Sequence, residues 1–113
     1  MKKTEKTPKE KPKSPARERI LVVEDEEDIL ELIRYNLTRE GYRVSSAASG
    51  EDGLRAALRD KPDLVVLDIM LPGIDGIEVC RRLKADPQTR YIPVVMVTAL
   101  TDATDRGLRV VIH

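Results

Sequence analysis

Three short apolar runs, at residues 20–23, 64–67 and 94–97, punctuate the chain. Each is four residues long, rich in β-branched side chains and free of polar alternation. That pattern predicts strands buried on both faces, as in a parallel sheet covered by helices. A weaker, alternating run at 43–47 predicts an edge strand. Helical periodicity fills the gaps. Over 27–40, the positions Ile29, Leu30, Leu32, Ile33 and Leu37 form a stripe, acidic residues crowd the first turn, and Gly41 stands where a C′ glycine belongs. A second helix is predicted over 50–59, capped by Ser49, with Leu54, Ala57 and Leu58 facing inward. A third is predicted from about residue 75 to 85, burying Ile77, Cys80 and Leu83, and Pro87 bars its continuation. The order β-α-β-α-β-α-β calls for right-handed crossovers and a doubly wound α/β fold.

Charge divides this chain where hydropathy does. Twenty basic and twenty acidic residues balance overall, yet residues 1–19 hold six Lys and two Arg against three Glu. Every Leu, Ile and Val lies after residue 19, and the leading segment carries three prolines. Such a segment cannot offset its ordering entropy, so 1–19 is predicted to be a disordered basic tail and 20–113 a single small domain. No aromatic is interleaved with its lysines, so it offers nothing for bases to stack on, and a solvated leader is the simpler reading. Collagen, coiled-coil and wholly disordered classes are excluded by composition. No apolar run approaches a membrane span, and the start lacks a secretory h-region. The lone Cys80 cannot form an internal disulfide, which points to a reducing cytoplasm. With His113 it is also too little for a zinc site.

The chemistry gathers at the strand ends. In open α/β sheets, ligands bind beyond the carboxyl ends of the strands. Glu24 and Asp25 follow the first run, Asp68 the second and Thr98 the third. Any one of these has a dull explanation, because strands often end in a polar residue. Three carboxylates and a hydroxyl, each at the same end of its own strand, are harder to dismiss. Carboxylates this close repel unless a cation joins them, and oxygen-only ligands indicate a hard ion, Mg²⁺ above all. A carboxylate held there can attack a phosphoryl group to give an acyl phosphate. Other phosphate chemistries lack their motifs: there is no P-loop, no Gly-x-Gly-x-x-Gly after the first strand, and no Asp-x-Asp.

Residues 19–26 (Arg-Ile-Leu-Val-Val-Glu-Asp-Glu), 62–76 (Pro-Asp-Leu-Val-Val-Leu-Asp-Ile-Met-Leu-Pro-Gly-Ile-Asp-Gly) and 92–99 (Ile-Pro-Val-Val-Met-Val-Thr-Ala) carry a resemblance to a known family. Together they resemble the receiver domain of two-component response regulators, from about residue 19 to about 108. The resemblance implies a flavodoxin-like fold and makes Asp68 the phospho-acceptor, supplied by a sensor histidine kinase or a phosphotransfer protein. It also implies Mg²⁺ held by Glu24, Asp25, Asp68 and the main-chain carbonyl of Met70, with Thr98 as the switch hydroxyl and Pro72-Gly73 shaping the loop. A receiver of this kind is not an enzyme in the usual sense, although it assists its own phosphoryl transfer. Neither a DNA-binding nor a membrane segment is present in the sequence as it stands, so output is expected through a partner.

After Thr98 the likeness weakens. The family continues through a fourth helix, a fifth strand ending in Lys-Pro, and a fifth helix. Here no Lys follows Lys84 and no aromatic follows Tyr91. Residues 102–108 suit the start of the fourth helix, while 109–113 match nothing expected. The strand order is therefore predicted as 2-1-3-4, with the fifth strand and fifth helix missing or vestigial. That leaves 94–97 as an exposed edge open to self-association. A minor variant has 110–112 fold back as a surrogate fifth strand, with Gly107 ending a short fourth helix. Two functions follow: a phospho-accepting receiver, or a phosphorylation-incompetent truncated receiver serving as an interaction module or surviving as a non-functional remnant.

Overall fold

The computed structural model describes residues 17–102 and 105–112, with side chains through Val97. Eight elements follow along the chain, strand and helix alternating until two strands close it. They are β1 (Arg19–Val23), α1 (Glu27–Arg39), β2 (Arg43–Ala47), α2 (Gly50–Asp60), β3 (Leu64–Asp68), α3 (Gly76–Ala85), β4 (Val94–Asp102) and β5 (Asp105–Ile112). One sheet takes them in the order β2-β1-β3-β4-β5. The first four strands run parallel, as predicted, with Ile20 beside Leu64 and Val65 beside Val94. The predicted tail lies outside the described residues except at its end. There, Arg19 opens β1 and donates its guanidinium hydrogens to the carbonyls of Asp60 and Lys61, at 2.6 and 2.5 Å.

Alternation along the buried strands sends successive residues to opposite faces, and each face has its own core. Leu21, Val23, Val65 and Leu67 face α2 and α3, where Ala56, Ala57, Val79, Cys80 and Leu83 close over them. Ile20, Val22, Val66 and Val97 face the other way, under the half-buried Leu30, Ile33 and Leu37 of α1. Local signals set the helix ends. Ser49 accepts from the Asp52 N–H, Asp75 accepts from the Glu78 N–H, and Gly41 takes φ 99° after α1.

Three inward positions predicted from periodicity turn out instead to face solvent. Leu32 is 56% exposed, Ile77 is 60% exposed, and Leu58 is also exposed. A helix resting on a sheet buries a narrow strip. The i, i+3, i+7 line of Leu30, Ile33 and Leu37 fills it on α1, leaving Leu32 on the far side. In α2 the strip is made of small residues, Gly53, Ala56 and Ala57, which draw the helix close to β1. In α3, Val79, Cys80 and Leu83 take the inner places.

The larger correction comes after Thr98. Among the described residues no fourth helix begins within 102–108, Gly107 ends none, and 94–97 is not an edge. β4 continues to Asp102, and β5 returns antiparallel beside it, pairing Val95 with Ile112 through to Asp102 with Asp105. The surrogate fifth strand therefore exists, but it is longer than 110–112 and its direction is reversed. Geometry explains the choice. A parallel fifth strand needs a crossover of about a dozen residues, whereas antiparallel neighbours can be joined by two. Val94, Val95, Val97, Thr98 and Thr101 also give β4 the β-branched content that a helix disfavours. The outer strands of this sheet are β2 and β5.

Candidate functional site

Parallel pairing brings the carboxyl ends of β1 and β3 together, since Val23 stands beside Leu67. The next residues, Glu24 and Asp68, are therefore neighbours. Asp25 completes a trio in which one carboxylate oxygen from each residue lies within 4.8 Å of the other two. Asp68 is also the register partner of Val97, so Thr98, midway along β4, stands one residue beyond the level at which β3 ends. The four residues singled out in the sequence thus gather at the level where β1 and β3 end, although β4 runs on past Thr98. The Thr98 side chain lies outside the described residues.

The trio is unequally buried. Glu24 is 2% exposed and Asp68 8%, whereas Asp25 is open to solvent. Backbone amides orient the two buried groups. The Glu26 N–H donates to the Glu24 carboxylate, and the Met70 N–H to Asp68 Oδ1, each at 3.0 Å. The Glu24 N–H in turn donates to the Ala47 carbonyl at 3.0 Å, which fastens the site to β2. Among the described side chains, none of the ion pairs involves Glu24 or Asp68. Burial consequently pushes the Glu24 carboxyl up to about 7, against the Glu26 amide that stabilises its charged form, and the nearby Asp68 and Asp25 charges add to the rise. Two buried carboxylates with an exposed third, and no ion pair to the buried two among the described side chains, form a donor set suited to a hard divalent cation. The residues present fit such an ion.

Met70 itself is 71% exposed, and its N–H turns back onto the Asp68 carboxylate. Past it, Pro72 is exposed and Gly73 takes φ 74°, a conformation that L side chains rarely adopt. One member of this loop escaped the sequence reading. Gly76, the first residue of α3, is buried directly against the main chain of Asp68 and Ile69. The available signal was the Asp75-Gly76 pair at the predicted helix start, just after the acidic strand end.

Comparison with known proteins agrees with this arrangement. The family model for the response regulator receiver domain matches residues 20–110. "Response regulator PleD" of Caulobacter vibrioides is 53% identical over 88 residues, which is 78% of this chain and 19% of that protein. The chain thus spans about a fifth of that relative's length. The N-terminal domain of a response regulator receiver protein from Methanoculleus marisnigri JR1 superposes with a TM-score of 0.71 at 46% identity, covering 77% of this chain and 71% of that one. Response regulator TrrA of Thermotoga maritima, solved in complex with Mg²⁺–BeF, gives 0.69 at 38% identity, covering 74% and 71%. With an acidic trio at the carboxyl end of a parallel sheet and a family match across almost all of its described length, the chain belongs to the response regulator receiver domain family.

Proposed function

We propose that this receiver accepts a phosphoryl group on Asp68 from a histidine kinase or a phosphotransfer protein, with Mg²⁺ held by Glu24, Asp25, Asp68 and the Met70 carbonyl. One observation carries the reading: a carboxylate oxygen of Asp68 lies within 4.8 Å of one from each of two further carboxylates, and no described cationic side chain pairs with it. An Asp68 carboxylate oxygen attacks phosphorus as the bond to the donor imidazole breaks. The imidazole nitrogen keeps that electron pair, and an acyl phosphate results. When bound, Mg²⁺ would neutralise charge on the phosphoryl oxygens. The protein's own part is positional. The Met70 amide holds one Asp68 oxygen at 3.0 Å, the Glu26 amide holds Glu24, and β3 fixes the approach.

Thr98 is the hydroxyl that would meet the added phosphate, given its place one residue past the partner of Asp68. Movement there would pass into β4 and on to a downstream partner. Acting once on itself, the chain is a signalling module rather than a turnover enzyme. Its one thiol, on the buried Cys80, suits the reducing cytoplasm.

The test is incubation of the full chain with acetyl phosphate and Mg²⁺, followed by intact-mass measurement. One added phosphoryl group, lost in Asp68→Asn and when the metal is chelated, is the expected result. A second reading, a receiver that takes no phosphate and serves as an interaction module, is favoured by the β4–β5 hairpin. The segment after Thr98 that would respond to phosphate is locked into strand pairing there. An unchanged mass with bound Mg²⁺ would select this second reading.

A further inference from the structure

Residues 69–75 leave the end of β3 and come back to it. At the start of this loop, the Ile69 N–H donates to the Val97 carbonyl at 2.9 Å, and the Met70 N–H binds the Asp68 carboxylate. At its end, the Gly76 N–H donates back to the Ile69 carbonyl at 3.0 Å, and the Asp75 carboxylate caps α3 by accepting from the Glu78 N–H at 2.9 Å. The first turn of α3 is thereby seated on the strand end that presents Asp68.

Only glycine fits that seat. A Cβ on Gly76 would lie 2.7 Å from Ile69 Cα and 2.9 Å from the Asp68 carbonyl carbon, and nearer still to the Asp68 carbonyl oxygen. All three are backbone atoms, so no rotamer change makes room. The constraint differs from the one at Gly73 in the same loop. There the backbone conformation demands glycine, and the nearest neighbour is merely the flexible end of Glu51, 3.4 Å away.

We propose that Gly76 is a positioning residue for the acceptor: by admitting α3 into contact with the main chain of Asp68 and Ile69, it sets where the Asp68 carboxylate and the Met70 peptide stand relative to Glu24 and Asp25. A side chain at 76 must push α3 away or bend the end of β3. Either displacement carries Asp68 and Met70 with it, while Glu24 and Asp25 stay with β1. The metal ligands then separate along the seam between the two strands. The inference rests on the reading of Asp68 as acceptor, but it is measurable without phosphate.

In the full chain, Gly76→Ala is compared with Leu83→Ala, a core truncation two turns further along α3. Two readouts are taken by NMR: Mg²⁺ affinity of the folded protein from amide shifts, and amide exchange at Ile69 and Met70. Gly76→Ala is expected to weaken Mg²⁺ binding roughly ten- to a hundredfold, the scale on which changes behind the ligands lower metal affinity, and to speed exchange at Ile69 and Met70 beyond the rest of the molecule. Leu83→Ala is expected to speed exchange globally and leave the affinity of the folded molecules unchanged. Equal affinities in the two variants, with Ile69 and Met70 exchanging no faster than the core, overturn the proposal. If Gly76→Ala does not fold, Asp75→Ala, which removes the cap seating α3, is read by the same criteria. A wild-type chain that binds no Mg²⁺ refutes the metal reading on its own, and exchange at Ile69 and Met70 still decides the role of Gly76.

Discussion

The two faces of the sheet are built from the same strands yet closed in different ways. Toward α2 and α3, alternate strand residues meet small or well-fitted helix residues, and the layer includes Leu21, Leu67, Val79 and Leu83 at near-zero exposure. Toward α1, Ile20, Val22, Val66 and Val97 are buried too, but Val44, Leu64 and Val95 are only partly so, not one α1 residue is buried, and Leu30, Ile33 and Leu37 are only partly covered. A strand thus has two interiors of unequal depth. Stability should be concentrated on the α2/α3 side, leaving the α1 side the more tolerant of change.

The sharpest break in that contrast is Leu21→Ala. Truncation in the α2/α3 core should cost about 2–5 kcal/mol, read from urea denaturation. Next in size is the pH response of the metal-free protein. Because Glu24 titrates at about 7 in the fold against 4.5 when exposed, its contribution is fully present below about pH 4.5 and lost as pH rises through about 7. Melting temperature without metal should therefore fall across that window. Mg²⁺ should restore it at pH 8 far more than at pH 5, and Glu24→Gln should flatten the dependence. Leu37→Ala, on the α1 face, should cost about 1 kcal/mol, since this side chain is only half withdrawn from water. A loss as large as that of Leu21→Ala would erase the distinction between the faces. Leu32→Ala should change stability by no more than about 0.5 kcal/mol, because the side chain already lies in solvent.

What was legible in the sequence follows the physics of each element. β1 and β3 announce themselves because a strand covered on both sides tolerates only apolar residues, and the acids that follow them mark where cover stops. Glu24, Asp25 and Asp68 could be placed together for that reason, before any coordinates. Helix periodicity carried less. It distinguishes a face but not its width, so Leu32, Leu58 and Ile77 were assigned to interiors that had no room for them. Gly76 stayed hidden because its role depends on what it touches, not on its backbone angles. The region after Thr98 misled differently. Family likeness calls for a helix where the β-branched residues of β4 and a two-residue gap favour a hairpin.

That hairpin sets the two sides of β4 on different clocks. Its pairing with β5 closes a minimal loop, and hairpins form in about 1–10 μs. Its pairing with β3 must wait for the chain to travel through α3 and back, a non-local closure of the kind that slows folding. We expect β4 to reach the sheet already carrying β5. Pulsed hydrogen exchange during refolding should find Ala99 and Leu108 protected before Val65 and Val66, and simultaneous protection would show that the sheet assembles as one unit.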